Sequence, residues 1–111
     1  MFARLFGLQN IPEVTPTEAQ ARQRTGALVI DVREPHEWKT GHIPGARLIP
    51  LDELPLRVAE LDPEREIVLV CRSGNRSAQA TLYLQRAGFR RVVNLAGGMI
   101  AWTRAGLPVE R

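Results

Sequence analysis

Two short apolar runs, Leu28-Val29-Ile30 ahead of Asp31 and Ile67-Val68-Leu69-Val70 ahead of Cys71, constrain this chain more than any other feature. Neither alternates apolar with polar residues, so neither suits a strand with one wet face. A β-rich run that is apolar throughout reads as a strand covered on both sides. Helices must supply the cover, and the stretches between the runs carry apolar residues at helical spacing. The fold class is therefore α/β on a mainly parallel sheet. Val92-Val93 with Leu95 and the shorter Leu48-Ile49 read as two further strands, and a weak strand near Ile11 makes five.

The helix signals are local. Thr15-Pro16-Thr17-Glu18 is a capping box with proline at the first helical position, which starts a helix running to about Arg24. Leu51, Leu54, Val58 and Leu61 form an apolar stripe behind the acidic pair Asp52-Glu53, which predicts a second helix stopped near Asp62-Pro63. A third spans Arg76 to Ala87, closed by Gly88, and a fourth runs from Met99 to Ala105, closed by Gly106. With 111 residues and neither repeats nor linkers, the chain reads as one domain over 1–111. Met1 to Leu8 reads as a frayed or lightly docked terminus, too short and too interrupted for a signal peptide or a membrane span.

Charge and cysteine count narrow the function. Fifteen basic and twelve acidic residues leave +3, and although the pI is about 10.0, Lys39 is the only lysine and the arginines are scattered. No aromatic residue interleaves with a basic run, which argues against nucleic acid as a partner. The single cysteine, Cys71, rules out an internal disulfide and a zinc cage of several thiolates, and favours a reducing, cytoplasmic setting.

Cys71 follows a strand directly, and Arg72-Ser73-Gly74-Asn75-Arg76-Ser77 leads straight from it into a helix. That places the thiol at the carboxyl end of a central strand and below a helix amino terminus, where α/β sheets bind ligands and where anions are stabilised. Arg72 and Arg76 add positive charge of the kind that favours a thiolate. Gly74 and Asn75 tolerate the tight turns that wrap amides around one atom. The alternative is a cysteine that merely fills core space, but such a residue has no need of a polar, turn-forming, cationic loop after it.

Three separated segments resemble the rhodanese-like domain family: Asp31-Val32-Arg33-Glu34-Pro35-His36-Glu37-Trp38 followed by Gly41-His42-Ile43-Pro44-Gly45-Ala46; the loop Cys71 to Arg76; and Gly97-Gly98-Met99 with Ala101-Trp102. The resemblance implies a three-layer α/β/α domain with a five-stranded, mainly parallel sheet in the order 3-2-4-5-1. It also implies sulfurtransferase chemistry without a metal or organic cofactor. Cys71 would attack the outer sulfur of thiosulfate or a similar small donor, release sulfite, and hold the sulfur as a persulfide for a thiophilic acceptor: cyanide in vitro, a thiol or a partner protein in the cell. Amides from Arg72 through Ser77, including Ser73, Gly74 and Asn75, would hold the sulfur, and the Arg72 and Arg76 side chains would draw the oxyanion end of the donor. The spacing Cys71-x4-Arg76 is one residue shorter than the Cys-x5-Arg loop of the related phosphatases, which argues against a phosphatase or arsenate reductase. A non-catalytic regulatory or docking module is a further alternative, although such members typically lack the cysteine. Leu48 where the family often has asparagine, and Trp38 for tyrosine or phenylalanine, are departures that do not touch the loop.

Asp31 and Arg33 read as a mutually paired anchor for neighbouring loops, supporting the site rather than binding substrate. His36 and His42 lack helical ligand spacing, so no metal site is expected. Trp38 and Trp102 read as core or helix-packing residues, and Arg47 as a solvated strand-end arginine.

Overall fold

In the computed structural model, which describes residues 11–111, β1 (Glu13–Val14), β2 (Leu28–Asp31), β3 (Arg47–Leu48), β4 (Ile67–Val70) and β5 (Val92–Leu95) form one sheet. Its order is β1-β5-β4-β2-β3 and every pairing is parallel. Read from the other edge, that is the expected 3-2-4-5-1. The first strand lies at Glu13–Val14, two residues beyond Ile11, where the Asn94 amide donates to the Pro12 carbonyl. Met1 to Leu8 lies outside the described residues.

The apolar runs are buried as their composition requires. Ile67, Val68, Leu69 and Val70 are each 0% exposed, because β4 is central and helices cover both sides. Ile67, Leu69 and Cys71 face one layer with Ala80, Leu84 and Phe89, while Val68 and Val70 face the other with Ala19, Met99 and Trp102. Strand alternation thus assigns Cys71 to one face of the sheet. Complete burial of each such aliphatic side chain stabilises the fold by roughly 1.5–3 kcal/mol.

Helix α1 (Pro16–Arg24) begins at the capping box, with the Glu18 amide donating to Thr15 Oγ1 at 3.2 Å and the Thr15 amide to Glu18 Oε1 at 2.8 Å. A single-turn helix, α2 (Pro35–Trp38), follows β2 and was not expected from the sequence. The continuous helix expected over Leu51 to Leu61 is instead three turn-length pieces: a 3-10 turn at Leu51–Glu53, α3 (Leu54–Arg57), and a 3-10 turn at Val58–Glu60. Pro55 explains the correction, since it has no N–H to give to the Leu51 carbonyl and its ring crowds the preceding turn. The apolar stripe survives the break. Leu54 and Leu61 are buried, and Leu51 and Val58 pack against them. Off the stripe, Leu56 is 85% exposed.

Helices α4 (Asn75–Arg86) and α5 (Gly98–Arg104) lie close to their expected bounds. After α5 the chain returns across the carboxyl edge of the sheet. Trp102, 1% exposed, donates from Nε1 to the Pro108 carbonyl at 2.8 Å. His42 and Glu110 exchange two backbone hydrogen bonds of 2.9 Å. Among the described residues no helix is long and apolar enough to cross a membrane.

Candidate active site

Because all strands are parallel, β2, β4 and β5 deliver their carboxyl ends to one edge, and Cys71 emerges there from the middle of the sheet. Cys71 is 1% exposed, and its sulfur is met by three donors: the Gly74 amide at 3.1 Å, the Ser77 amide at 3.3 Å and Ser77 Oγ at 3.2 Å. Helix α4 has no side-chain cap, and Gly74 precedes it with φ +108°, a conformation that glycine adopts without strain. Ser77 is the third helical residue, whose amide an N-cap side chain normally receives. Here Cys71 Sγ takes that place. Three donors converging on one atom suit a sulfur that carries negative charge.

Of the loop amides expected around the sulfur, those of Gly74 and Ser77 reach Sγ. Arg72, Ser73 and Asn75 are exposed, and Ser77 is fully buried. Arg76 differs most from its expected role as a hook for a donor's oxyanion. Its Nη1 and Nη2 bind Glu37 Oε1 and Oε2 at 2.7 and 2.9 Å, so its charge already has a partner. Arg72 is exposed and makes no ion pair among the described residues.

Glu37 is a site residue that the sequence reading did not single out. It lies on α2, where it also receives the Glu34 amide at 3.0 Å. The Arg76 guanidinium, through its hydrogen bonds, holds the Glu37 carboxyl at about 2, below the ordinary 4.5. A carboxyl whose value is lowered on folding stabilises the fold above its unfolded value and loses that contribution on protonation. The pair therefore contributes fully above pH about 4.5 and fades as pH falls toward about 2. Glu37→Gln is expected to cost about 1–2 kcal/mol at neutral pH, the worth of a partly exposed charge-assisted pair. The difference from wild type should vanish at the acid end of that window. Urea titrations of both proteins from pH 7 to pH 2 check this, and a constant difference would show that the carboxylate charge is irrelevant.

Asp31 and Arg33 form a buried pair, with Arg33 Nε 3.0 Å from both Asp31 oxygens and Nη2 2.8 Å from Oδ2. Arg33 Nη2 also donates to the Gly41 carbonyl at 2.7 Å, which ties the end of β2 to the turn after α2. Two further residues hold the loop from below and beside it. Asn94 Nδ2 donates to the Gly74 carbonyl and to Glu13 Oε2 at 3.1 Å each, while its buried Oδ1 has no partner among the described residues. At Gly98, φ +57°, the backbone of α5 lies against Cys71 and Arg72, and the Met99 and Ile100 amides donate to those two carbonyls at 2.8 and 3.1 Å. A polar residue inside the run Val92-Val93-Asn94-Leu95 was the available signal for Asn94, because a buried amide needs partners.

The remaining candidates lie away from the sulfur. His42 is stacked face to face on Trp38, with ring centroids 3.5 Å apart, and its Nδ1 is 3.0 Å from the Trp38 carbonyl. Trp38 is thus half-buried against a histidine rather than part of the core, unlike Trp102. His36 is exposed on α2. Arg47 pairs with Glu60 at 2.6 Å. Beside the loop, between the turn after α2 and helix α5, lies a cleft of about 650 Å³ whose lining includes Arg72, Met99, Ile100, Arg104, Val109 and Arg111.

A helix capped by the thiol of the preceding central strand, on a five-stranded parallel sheet, defines a cysteine-loop α/β domain. The profile of the family described as rhodanese-like domain matches residues 15–105, and the chain belongs to that family. A protein named sulfurtransferase from Allochromatium vinosum is 48% identical over 82 residues, which cover 74% of this chain and 77% of that one. Thiosulfate sulfurtransferase GlpE of Stutzerimonas stutzeri is 33% identical over 95 residues, 86% of this chain and 87% of its own. Among solved structures, the rhodanese-related protein of Thermoplasma volcanium superposes with a TM-score of 0.82 at 30% identity, covering 89% of this chain and 97% of the other.

Proposed function

We propose that this protein is a sulfurtransferase that carries sulfane sulfur on Cys71, taking it from thiosulfate or a similar donor. The observation that carries the reading is the convergence of the Gly74 amide, the Ser77 amide and Ser77 Oγ on one sulfur. The names of the sulfurtransferase relatives support it. In the first half-reaction the Cys71 thiolate attacks the outer sulfur of thiosulfate. A bond forms between Sγ and that sulfur, the sulfur–sulfur bond of thiosulfate breaks, and sulfite leaves with the electron pair. The persulfide that remains carries one negative charge, as the thiolate did, so donors arranged for one serve the other. In this reading Arg72, exposed and without an ion pair among the described residues, draws the departing oxyanion. In the second half-reaction a nucleophile takes the outer sulfur and Cys71 returns as thiolate. Asp31, Arg33, Glu37 and Asn94 act as positioning residues for the loop. Thiols abound in the cytoplasm, the compartment this reading favours.

The short loop bears on the phosphatase alternative. Between Cys71 and Arg76 there is one residue fewer than in the phosphatase loop, and the Arg76 guanidinium is bound to Glu37. Intact mass spectrometry before and after thiosulfate, and again after cyanide, tests the proposal. One sulfur atom is expected to appear on the protein and to leave with cyanide. An unchanged mass, together with hydrolysis of a phosphate ester, would overturn it.

A further inference from the structure

Asn94 is the polar residue of an otherwise apolar strand, β5, and it is 1% exposed. Strand alternation turns its side chain to the face that carries Val92, with Leu69 and Glu13 as its cross-strand neighbours. Cys71 and the buried residues of α4 lie on that same face. An apolar side chain is the ordinary occupant of such a position, since asparagine is depleted in strands and a buried amide needs partners for both its ends. Only one end of this amide is met. Nδ2 donates to the Gly74 carbonyl and to Glu13 Oε2, whereas buried Oδ1 has no partner among the described residues. Turning the amide over would set Oδ1 against a carbonyl and a carboxylate, so its chemistry fixes which end is left over. Asn94 thus keeps a destabilising polar atom in the core.

What the amide secures is Gly74. A glycine has no Cβ to restrict its backbone, so the aim of its N–H must be imposed by neighbours. That N–H donates to Cys71 Sγ at 3.1 Å, and the carbonyl of the same residue accepts both the Ala78 amide and Asn94 Nδ2 at 3.1 Å each. The Ala78 bond belongs to the first turn of α4. The Asn94 bond ties the same residue to the sheet, and the Glu13 carboxylate takes the other hydrogen of Nδ2. We infer that Asn94 is a positioning residue that aims the Gly74 N–H at the reacting sulfur, that Glu13 on the edge strand β1 fixes the orientation of the Asn94 amide, and that Asn94 lowers the stability of the fold it serves. The inference rests on the sulfur-transfer reading above. Gly74 N–H is the only group in this chain of contacts that touches the sulfur. A donor that drifts from a charged sulfur stabilises the transition state less, so the effect falls on the chemical step rather than on capture of the sulfur donor.

The test begins with wild-type protein exposed to thiosulfate and weighed by intact mass. Failure to gain one sulfur counts against the sulfur-transfer reading and is seen before any variant is compared. Asn94→Leu then replaces the amide by an apolar group of similar shape. It strands no partner, because the Gly74 carbonyl keeps the Ala78 amide and Glu13 is exposed. Its urea midpoint is expected at or above that of wild type, while the maximum loading rate falls about tenfold and the half-saturating thiosulfate concentration stays the same. Glu13→Ala is expected to slow loading about threefold, and Glu13→Gln, whose amide oxygen still accepts from Nδ2, to restore it. In the Asn94→Leu background Glu13→Ala should have no further effect, because the two residues act in series. An unchanged maximum loading rate in Asn94→Leu would overturn the proposal. So would slower loading together with a lower urea midpoint, which marks a residue that merely holds the fold. Equal slowing by Glu13→Ala in both backgrounds would overturn the link through Asn94.

Discussion

Cys71→Ser is expected to abolish sulfur loading, with transfer to cyanide falling by more than about a thousandfold, as for removal of the nucleophile of a covalent mechanism. The hydroxyl is no substitute, because at neutral pH it is not ionised and oxygen forms no persulfide. The fold should survive. A serine oxygen can still accept from Ser77 and Gly74, so stability is expected to move by about 1 kcal/mol in either direction. Intact mass after thiosulfate and a urea titration measure the two effects separately. Loading that persists in Cys71→Ser would place the sulfur elsewhere, although the sequence offers no second thiol.

Gly98→Ala should damage the same loop from its other side. A Cβ built at Gly98 would lie 2.6 Å from the carbonyl carbon and oxygen of Arg72, and closer still to the Cys71 carbonyl oxygen. All three are backbone atoms, which cannot rotate aside. Relief requires α5 and the Cys71 loop to separate, which breaks the Met99 and Ile100 amide bonds that join them. We expect a loss of about 2–4 kcal/mol, combining overpacking with a left-handed alanine, out of a total of about 5–15 kcal/mol for a small domain. Sulfur loading should slow by about tenfold or more as donors drift from Sγ. Gly106→Ala is the control, since Gly106 has φ +74° but open space around it. It should cost only about 1 kcal/mol. Equal losses in the two variants would mean that the close approach at Gly98 is immaterial.

How far the site could be read from the chain depended on the distance its contacts span. The strand Ile67–Val70, its central position, the helix after the loop and the capping box at Thr15 all follow from neighbouring residues, because periodicity and caps are local physics. The stripe from Leu51 to Leu61 was legible as a buried face, but Pro55 within it set a helix boundary that periodicity alone does not show. Glu37 and Asn94 were silent for a different reason. Glu37 meets Arg76 thirty-nine residues away, and Asn94 meets Gly74 across twenty and Glu13 across eighty-one. Only the parallel sheet brings those pairs to one edge. Arg76 shows the consequence: its place in the loop was evident, whereas the carboxylate that engages it was not.

The sulfur that caps helix α4 has a second life in the proposed cycle. Sγ is an anion in the resting thiolate and a neutral bridging atom in the persulfide, where the charge has moved to the outer sulfur. In that cycle the sulfur capping the first turn of α4 would alternate between a charged and a neutral acceptor. In the proposed cycle, the chemical state of the reactive atom and the firmness of a helix end would become one variable.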